Sequence, residues 1–209
     1  MIFQSVLNIF KWVKYSLYVY IASSFLLIIF YCLELNLYNN DGLVFYDGLV
    51  WNKEDHVWTA LSDVIYVLFI SRIILIITFL MWIHRAYSNL PILGKYSPKT
   101  TPGWAVGWWF IPFANLFKTF GVMKELYILT GEDGAKISTN ILGLWWAFWI
   151  FSIFIYAIFN IRSITNLEDY LGNIAINLFV TIMEIIAGIL FLKILTSITY
   201  SQEIKSTNI

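Results

Sequence analysis

The chain has 209 residues, of which 60% are apolar and only 12% are charged, and its basic and acidic residues balance. A typical soluble domain carries about 25% charged residues, so this chain has too little polar surface for a water-soluble fold. The composition excludes an ordinary soluble globule, a disordered chain and a basic nucleic-acid binder. The single cysteine, Cys32, excludes an intrachain disulfide framework and a zinc site built from cysteines.

Four windows have the length and apolarity of a transmembrane helix, which needs about 20 mostly apolar residues. They cover approximately residues 15–35, 63–84, 137–161 and 173–195. Four spans leave room for loops but not for a second soluble domain, so residues 1–209 are predicted to form one all-α integral membrane domain with four transmembrane helices. A cleaved signal peptide is the alternative for the first window. We disfavour it because the apolar stretch is long and no small-residue cleavage site follows.

Lysine and arginine are distributed unevenly between the two sides of the predicted spans, with ten on one side and two on the other. Positive residues accumulate in cytoplasmic segments, so both termini and the middle segment are predicted to be cytoplasmic. The ten are Lys11, Lys14, Arg85, Lys95, Lys99, Lys118, Lys124, Lys136, Lys193 and Lys205, and the two are Lys53 and Arg162.

The first outer loop contains a short tandem repeat, in which Asp-Gly-Leu-Val-Phe-Tyr at 41–46 is followed by Asp-Gly-Leu-Val-Trp-Asn at 47–52. Asp-Gly favours turns and the apolar residues between favour extended chain, so the repeat predicts a small hairpin. An acidic vestibule that attracts cations is the alternative function for this loop. The spacing does not match a calcium-binding loop.

The middle segment is predicted to lie along the membrane surface. Pro91, Pro98 and Pro102 are expected to break any continuous helix. The run 104–117 is short for a span and is interrupted by Pro112, as in interfacial or re-entrant segments. Residues 103–130 are therefore predicted to form an amphipathic or re-entrant segment in contact with the lipid bilayer. Its predicted apolar face is Phe113, Leu116, Phe117, Phe120, Met123 and Tyr127.

The middle segment contains two sequence motifs that would rarely occur by chance. They are Arg-Ala-Tyr-Ser-Asn at 85–89 and Pro-Gly-Trp-Ala-Val-Gly-Trp-Trp-Phe-Ile-Pro at 102–112. With these runs the chain resembles a bacterial integral-membrane family known as domain of unknown function 4328, mainly over Trp82 to Tyr127. The resemblance implies a bacterial inner-membrane protein with four spans, but no catalytic residue and no ligand. The chain departs from the family pattern at 99–101, an insertion, and at Thr119. The motif residues are Arg85, Tyr87, Asn89, Trp104, Trp108, Trp109, Pro112 and Asn115.

Two charged residues interrupt the apolar spans. Arg72 lies about nine residues from the outer end of the second span, and Glu184 about eleven residues from the outer start of the fourth. At ~1.5 Å per residue these depths agree to within one helical turn. A charge at mid-span is costly and normally faces a partner or water, so the two are predicted to pair. The pair either fixes helix register or is exposed to a pore, a cavity or a partner subunit.

Polar and small residues fall on one face of the fourth span at helical spacing. Such faces indicate close helix packing with interhelical hydrogen bonds, or a water-filled path. The fourth-span residues are Asn173, Asn177, Thr181, Glu184 and Gly188; similar faces are Ser16, Tyr20, Ser24, Tyr31 and Glu34 on the first span and Ser152, Tyr156 and Asn160 on the third.

No enzyme signature is visible around the two histidines, His56 and His84. We therefore expect no enzyme, no cofactor and no metal site. The polar faces and mid-span charges favour a homo-oligomeric channel, pore or membrane-perturbing effector. One alternative is a membrane adaptor that docks a cytoplasmic protein on the basic segment 85–136, for example in antiviral defence. Another is a lipid-modifying membrane enzyme. Direct nucleic-acid binding is not expected.

Overall fold

The computed structural model of the chain is built mainly from long α-helices. It describes residues 2–39, 43–46, 49–52, 55–93, 98–131, 139–159 and 166–207, and the side chains of 2–36, 63–93, 98–131, 139–159 and 166–207. The helices are α1 (Leu7–Asn39), α2 (Asp55–Leu93), α3 (Pro102–Gly107), α4 (Ala114–Thr130), α5 (Asn140–Phe159) and α6 (Leu167–Ser206), with a 3-10 turn at Trp108–Phe110.

Four of the helices, α1, α2, α5 and α6, are long and apolar enough to cross a membrane, which confirms the four predicted windows. The helices extend beyond those windows. Helix α6 has 40 residues and is therefore about 60 Å long, twice the ~30 Å thickness of a bilayer's hydrocarbon core. Hydropathy marks only the part of a helix that lipid can cover, so the predicted window 173–195 stops short of both ends of α6.

Helix α2 continues through Pro91, where the sequence predicted a break. Proline lacks the N–H that would bond the carbonyl four residues earlier, here that of Tyr87. Because α2 ends at Leu93, this bond is lost in the last turn rather than in the middle of the helix. The expectation of a break at Pro91 is therefore wrong. Pro102, in contrast, begins α3, a position that favours proline.

The tandem repeat forms the predicted hairpin. Its halves contribute β1 (Leu43–Tyr46) and β2 (Leu49–Asn52), an antiparallel pair that places Leu43 opposite Asn52 and Tyr46 opposite Leu49. The Asp-Gly pairs at 41–42 and 47–48, and with them the suggested acidic vestibule, lie outside the described residues.

The four long helices pack in the order α2, α1, α6, α5. Helix α2 packs mainly on α1, α1 also packs on α6, and α5 packs mainly on α6. Helices α2 and α5 therefore flank the two sides of a cleft whose back is formed by α1 and α6. Helix α4 contacts α2, α5 and α6 and closes one end of this cleft.

The long helices expose apolar side chains, whereas one end of the bundle buries them. On α2, Phe69 is 64% and Ile77 is 53% exposed; surfaces this apolar suit lipid rather than water. At the opposite extreme, Trp82, Leu126 and Ile198 are almost completely buried. We call this well-packed end the base. The base comprises residues 2–13, 82–93, 98–131 and 194–207.

Helix α4 exposes one part of its predicted apolar face and buries another. Val122, Met123 and Leu126 are buried, whereas Phe113 is 81% and Phe117 is 75% exposed. Met123 belongs to the same predicted apolar face, but it is covered where α4 meets α2, α5 and α6. Contact of the exposed part of this face with lipid stays a prediction.

The turn before α4 holds Phe113 in a strained backbone conformation. Its φ is 59° and its ψ is −49°, and the N–H of Ala114 donates to the carbonyl of Pro112 at 2.6 Å. This is the rare γ-turn with positive φ, which costs free energy for a residue with a side chain and little for glycine.

Phe113→Gly is expected to be neutral or to stabilise the protein by up to ~1 kcal/mol, because it relieves the positive φ. Phe117→Gly provides the matched control, since its ring is similarly exposed but its backbone is helical; it should cost about 1 kcal/mol. Thermal unfolding of the purified variants in detergent measures both. Equal destabilisation by the two changes would contradict strain at Phe113.

Candidate functional site

Three side chains from three helices meet between the long helices. Arg72 of α2 donates through Nη2 to Glu184 Oε1 of α6 at 2.8 Å and to the hydroxyl of Tyr20 on α1 at 2.7 Å. The same hydroxyl donates to Glu184 Oε2 at 2.5 Å. The guanidinium also lies over the Tyr20 ring, 5.2 Å from its centroid. We call these three residues the polar cluster.

The predicted pairing of Arg72 with Glu184 is confirmed as an ion pair within one chain. The matched depth of the two charges was a sufficient signal. Tyr20 was predicted only as one member of a polar face on the first span, and nothing in the sequence indicated that its hydroxyl bridges the pair. The cluster is not sealed, since the side chain of Arg72 is 52% exposed and that of Glu184 is 25% exposed.

On the base side of the polar cluster lies a cavity of about 470 Å³, which we call the aromatic cavity. The stretch of α2 that lines it runs from Arg72 to Leu80, and the stretch of α6 runs from Glu184 to Phe191. The rings around it pack on one another: Phe79 lies 4.9 Å from Trp109 and 5.1 Å from Phe191, centroid to centroid. Its aromatic residues are Phe79, Trp109, Phe110, Trp145, Trp149 and Phe191, besides Tyr20.

On the other side of the polar cluster lies a second cavity, of about 540 Å³, which we call the polar cavity. Here the lining stretch of α2 runs from Ile65 to Arg72, and that of α6 from Asn177 to Glu184. Several side chains around it carry hydroxyl or amide groups. They are Tyr20, Ser24, Tyr31, Ser152, Tyr156, Asn177 and Thr181.

One residue from each long helix lines both cavities. These are Tyr20 of α1, Arg72 of α2, Ile153 of α5 and Glu184 of α6. The two cavities therefore follow one another along the bundle, and the ring of four residues lies at the level where they meet.

The predicted polar faces contribute unequally to these cavities. Asn177 and Thr181 line the polar cavity, and Asn177 donates to Asn173 at 2.6 Å. Gly188 lines the aromatic cavity and packs on α1, where an added Cβ would lie 3.4 Å from Ile21. These contacts fit both earlier alternatives, because the same face packs against a neighbouring helix and borders a cavity.

The remaining polar positions on the first and third spans serve helix packing or lie elsewhere. Ser16 donates to carbonyls of its own helix. Glu34 is almost completely buried and is hydrogen-bonded to Tyr170. Asn160 lies outside the described residues.

The Arg-Ala-Tyr-Ser-Asn motif joins three parts of the base, and Asn89 makes the central contacts. Its Oδ1 accepts from the backbone N–H of Gln4 at 3.1 Å, and its Nδ2 donates to the carbonyl of Gln4 at 2.8 Å. The same Nδ2 donates to Gln202 at 3.2 Å, and Gln202 donates to the carbonyl of Ala86 at 2.8 Å. Asn89 thus ties the N-terminal segment and the end of α6 to α2.

The other two motif side chains extend this network. Tyr87 donates to Glu125 Oε2 on α4 at 2.5 Å, and the backbone N–H of Lys99 donates to Glu125 Oε1 at 2.8 Å. Arg85 donates to the carbonyl of Ser5 at 3.4 Å. The partners lie 26 to 116 positions apart in the chain, so spacing could not reveal them.

Some residues of the second motif run lie at the surface, and others line the aromatic cavity. Trp104 stacks on Trp108 at 4.6 Å, and Lys118 lies over the Trp108 ring. Trp109 and Asn115 line the aromatic cavity, and Asn115 donates to the Trp109 carbonyl at 3.3 Å. Pro112 precedes the strained turn at Phe113. The part of the chain with described side chains contains no group of three potential metal ligands.

The structure is thus a helical bundle with four helices long and apolar enough to cross a membrane, and these helices surround a charged cluster and two cavities. The family model described as "Domain of unknown function (DUF4328)" matches residues 53–200, so the chain belongs to this family. The match extends beyond 82–127, the part that carried the resemblance. Comparison with curated proteins and with solved structures gave no match.

Proposed function

We propose that this protein provides a gated path for ions or small polar solutes across the inner membrane of a bacterium, with the polar cluster as its gate. The observation that carries the proposal is the ring of Tyr20, Arg72, Ile153 and Glu184, which lines the cavities on both of its sides. A solute that passed from one cavity to the other would have to pass this ring.

The chemistry of the cluster suits a gate. Charge-assisted hydrogen bonds hold Arg72 to Glu184 and to Tyr20, and such bonds are about twice as strong as neutral ones. Their side chains nevertheless remain partly exposed to the cavities, so the bonds can exchange with water or a solute. The closed state is the one in which all three bonds are made.

The base is proposed to be the cytoplasmic end, because the lysine and arginine distribution places both termini and the middle segment inside. The exposed rings of Phe113 and Phe117 would then lie against the headgroups of the inner leaflet. Both cavities lie within one chain, so the proposed path does not require a second copy. Assembly into a homo-oligomer remains a separate prediction.

A membrane adaptor that docks a protein on segment 85–136 has less support. One of the lysines that would attract the partner, Lys118, already lies over the ring of Trp108. Lys95 lies outside the described residues.

Flux through purified protein in liposomes tests the gate. Arg72→Gln/Glu184→Gln keeps hydrogen-bonding groups and neutrality but weakens the closing bonds, and we expect at least a tenfold rise in potassium or small-dye release over the unmodified protein. Thr78→Val, on α2 but outside both cavities, should leave release unchanged. The proposal is abandoned if neither the unmodified protein nor the double variant releases any solute above empty liposomes.

A further inference from the structure

Within the polar cluster, Glu184 has a hydrogen-bond donor for each carboxylate oxygen, whereas among the described residues Arg72 uses only some of its N–H groups. Both carboxylate oxygens of Glu184 have a donor, from Arg72 and from Tyr20. Arg72 uses only Nη2, and within the part of the chain that the structure describes its Nε and Nη1 donate to no protein acceptor. A guanidinium carries five N–H donors and no acceptor. The cluster therefore offers free donors beside the cavities, and a ligand that completes it must bring an acceptor.

The charge of the cluster constrains that acceptor. Arg72 and Glu184 together are neutral, so an anion would leave one uncompensated negative charge between membrane helices, which is costly. A cation would compete with Arg72 for Glu184 and would leave the free donors unsatisfied. A neutral carbonyl oxygen satisfies the donors without adding charge.

The aromatic cavity constrains the rest of the ligand. Trp145 stacks on Phe191 at 5.1 Å with an interplanar angle of 14°, and on Trp149 at 6.4 Å with an angle of 13°. Flat aromatic faces favour a flat ring in an offset or edge arrangement. The volume of about 470 Å³ falls within the range of sites that hold small organic ligands.

The position of the cavity indicates how a ligand would enter. Ile76 on α2 and Ile153 on α5 both line it, and they are 49% and 44% exposed. The cavity therefore reaches the outer surface of the bundle between α2 and α5. In a bilayer this surface faces lipid, so the entrance favours a molecule that is dissolved in the membrane.

We propose that the aromatic cavity binds a neutral, flat, membrane-dissolved carbonyl compound of the quinone class. Its ring lies among Phe79, Trp145 and Trp149, and a carbonyl oxygen accepts from the free N–H groups of Arg72. This site goes beyond the conduction proposal and does not depend on it, because binding requires no flux.

Quenching of tryptophan fluorescence in detergent micelles tests the site, with decylubiquinone as the probe. The unmodified protein should bind it saturably. Arg72→Met/Glu184→Met, which removes the donors but keeps neutrality and approximate volume, should raise the Kd at least tenfold. Thr78→Val should leave the Kd unchanged. Decylbenzene, which has the same tail and no carbonyl, should bind at least tenfold more weakly than decylubiquinone when it competes with the probe.

Three results would overturn the assignment: an unchanged Kd in the double methionine variant, equal competition by decylbenzene, or tighter and Arg72-dependent competition by decanoate, which would make the ligand an anion. Liposome flux separates this site from the gate. If the protein binds the quinone but releases no solute, the binding site is supported and the conduction proposal fails. If the protein releases solute but does not bind the quinone as expected, the conduction proposal is supported and the binding site is wrong.

Discussion

Arg72→Met alone, or Glu184→Met alone, is expected to lower the free energy of unfolding by about 2 kcal/mol. Either change leaves a single charge between membrane helices, and such a charge costs about 2.5–3.5 kcal/mol at the centre of a span. We take a value below that range because Arg72 is 52% exposed and water in the cavities can reach it. Unfolding of the purified variants in mixed detergent micelles measures the loss.

The double variant Arg72→Met/Glu184→Met is the control for this expectation. It removes both charges at once, and replacing an ion pair by apolar groups of similar size is often neutral or stabilising. We expect its stability to return to within about 1 kcal/mol of the unmodified protein, which gives a coupling free energy of about 3 kcal/mol or more. If the losses of the two single variants simply added in the double variant, the pair would have no energetic significance.

Asn89→Ala is expected to lower the free energy of unfolding by about 2–4 kcal/mol, more than either single methionine variant. The change removes three hydrogen bonds, two to backbone groups of Gln4 and one to the buried Oε1 of Gln202, and each buried group left unsatisfied costs about 1–3 kcal/mol. Because Asn89 holds the N-terminal segment, amide hydrogen exchange at Val6 and Phe10 should also accelerate.

Ser88→Ala provides the matched control beside it. Among the described residues Ser88 bonds only to the carbonyl of His84 in its own helix, so its removal should change stability by less than about 0.5 kcal/mol and should not alter exchange at Val6. An equal loss in Ser88→Ala and Asn89→Ala would show that the base does not depend on the motif amide.

The four long apolar helices were predictable because a membrane span has strict requirements. A span must be apolar along its length, so the four windows were visible, and a charge inside a span is costly, so Arg72 and Glu184 were conspicuous. Matching depth then sufficed to pair them. Tyr20 carries no such signal, because a tyrosine costs little in a membrane helix whether or not its hydroxyl bridges two charges.

The base was not predictable in the same way. Its partners Gln4, Asn89 and Gln202 are neutral residues near the ends of helices. The sequence does not show whether water or protein groups satisfy such side chains, so no energetic rule singles them out. The motif runs indicated that Tyr87 and Asn89 matter, but not what they touch. On α4, helical spacing identified the apolar residues, but it could not show that neighbouring helices cover Met123 and leave Phe117 exposed.

The start of α1 is completed by a residue that lies almost 200 positions away. Glu203 accepts from the hydroxyl of Ser5 at 2.8 Å and from the N–H of Val6 at 2.9 Å, across a separation of 197 residues in the latter case. During synthesis α1 therefore lacks this partner until Glu203 has been added to the chain. A chain interrupted before Glu203 retains all four apolar windows, yet the start of α1 lacks both of these hydrogen bonds. Synthesis of the four long apolar segments and completion of the base are thus separated in time.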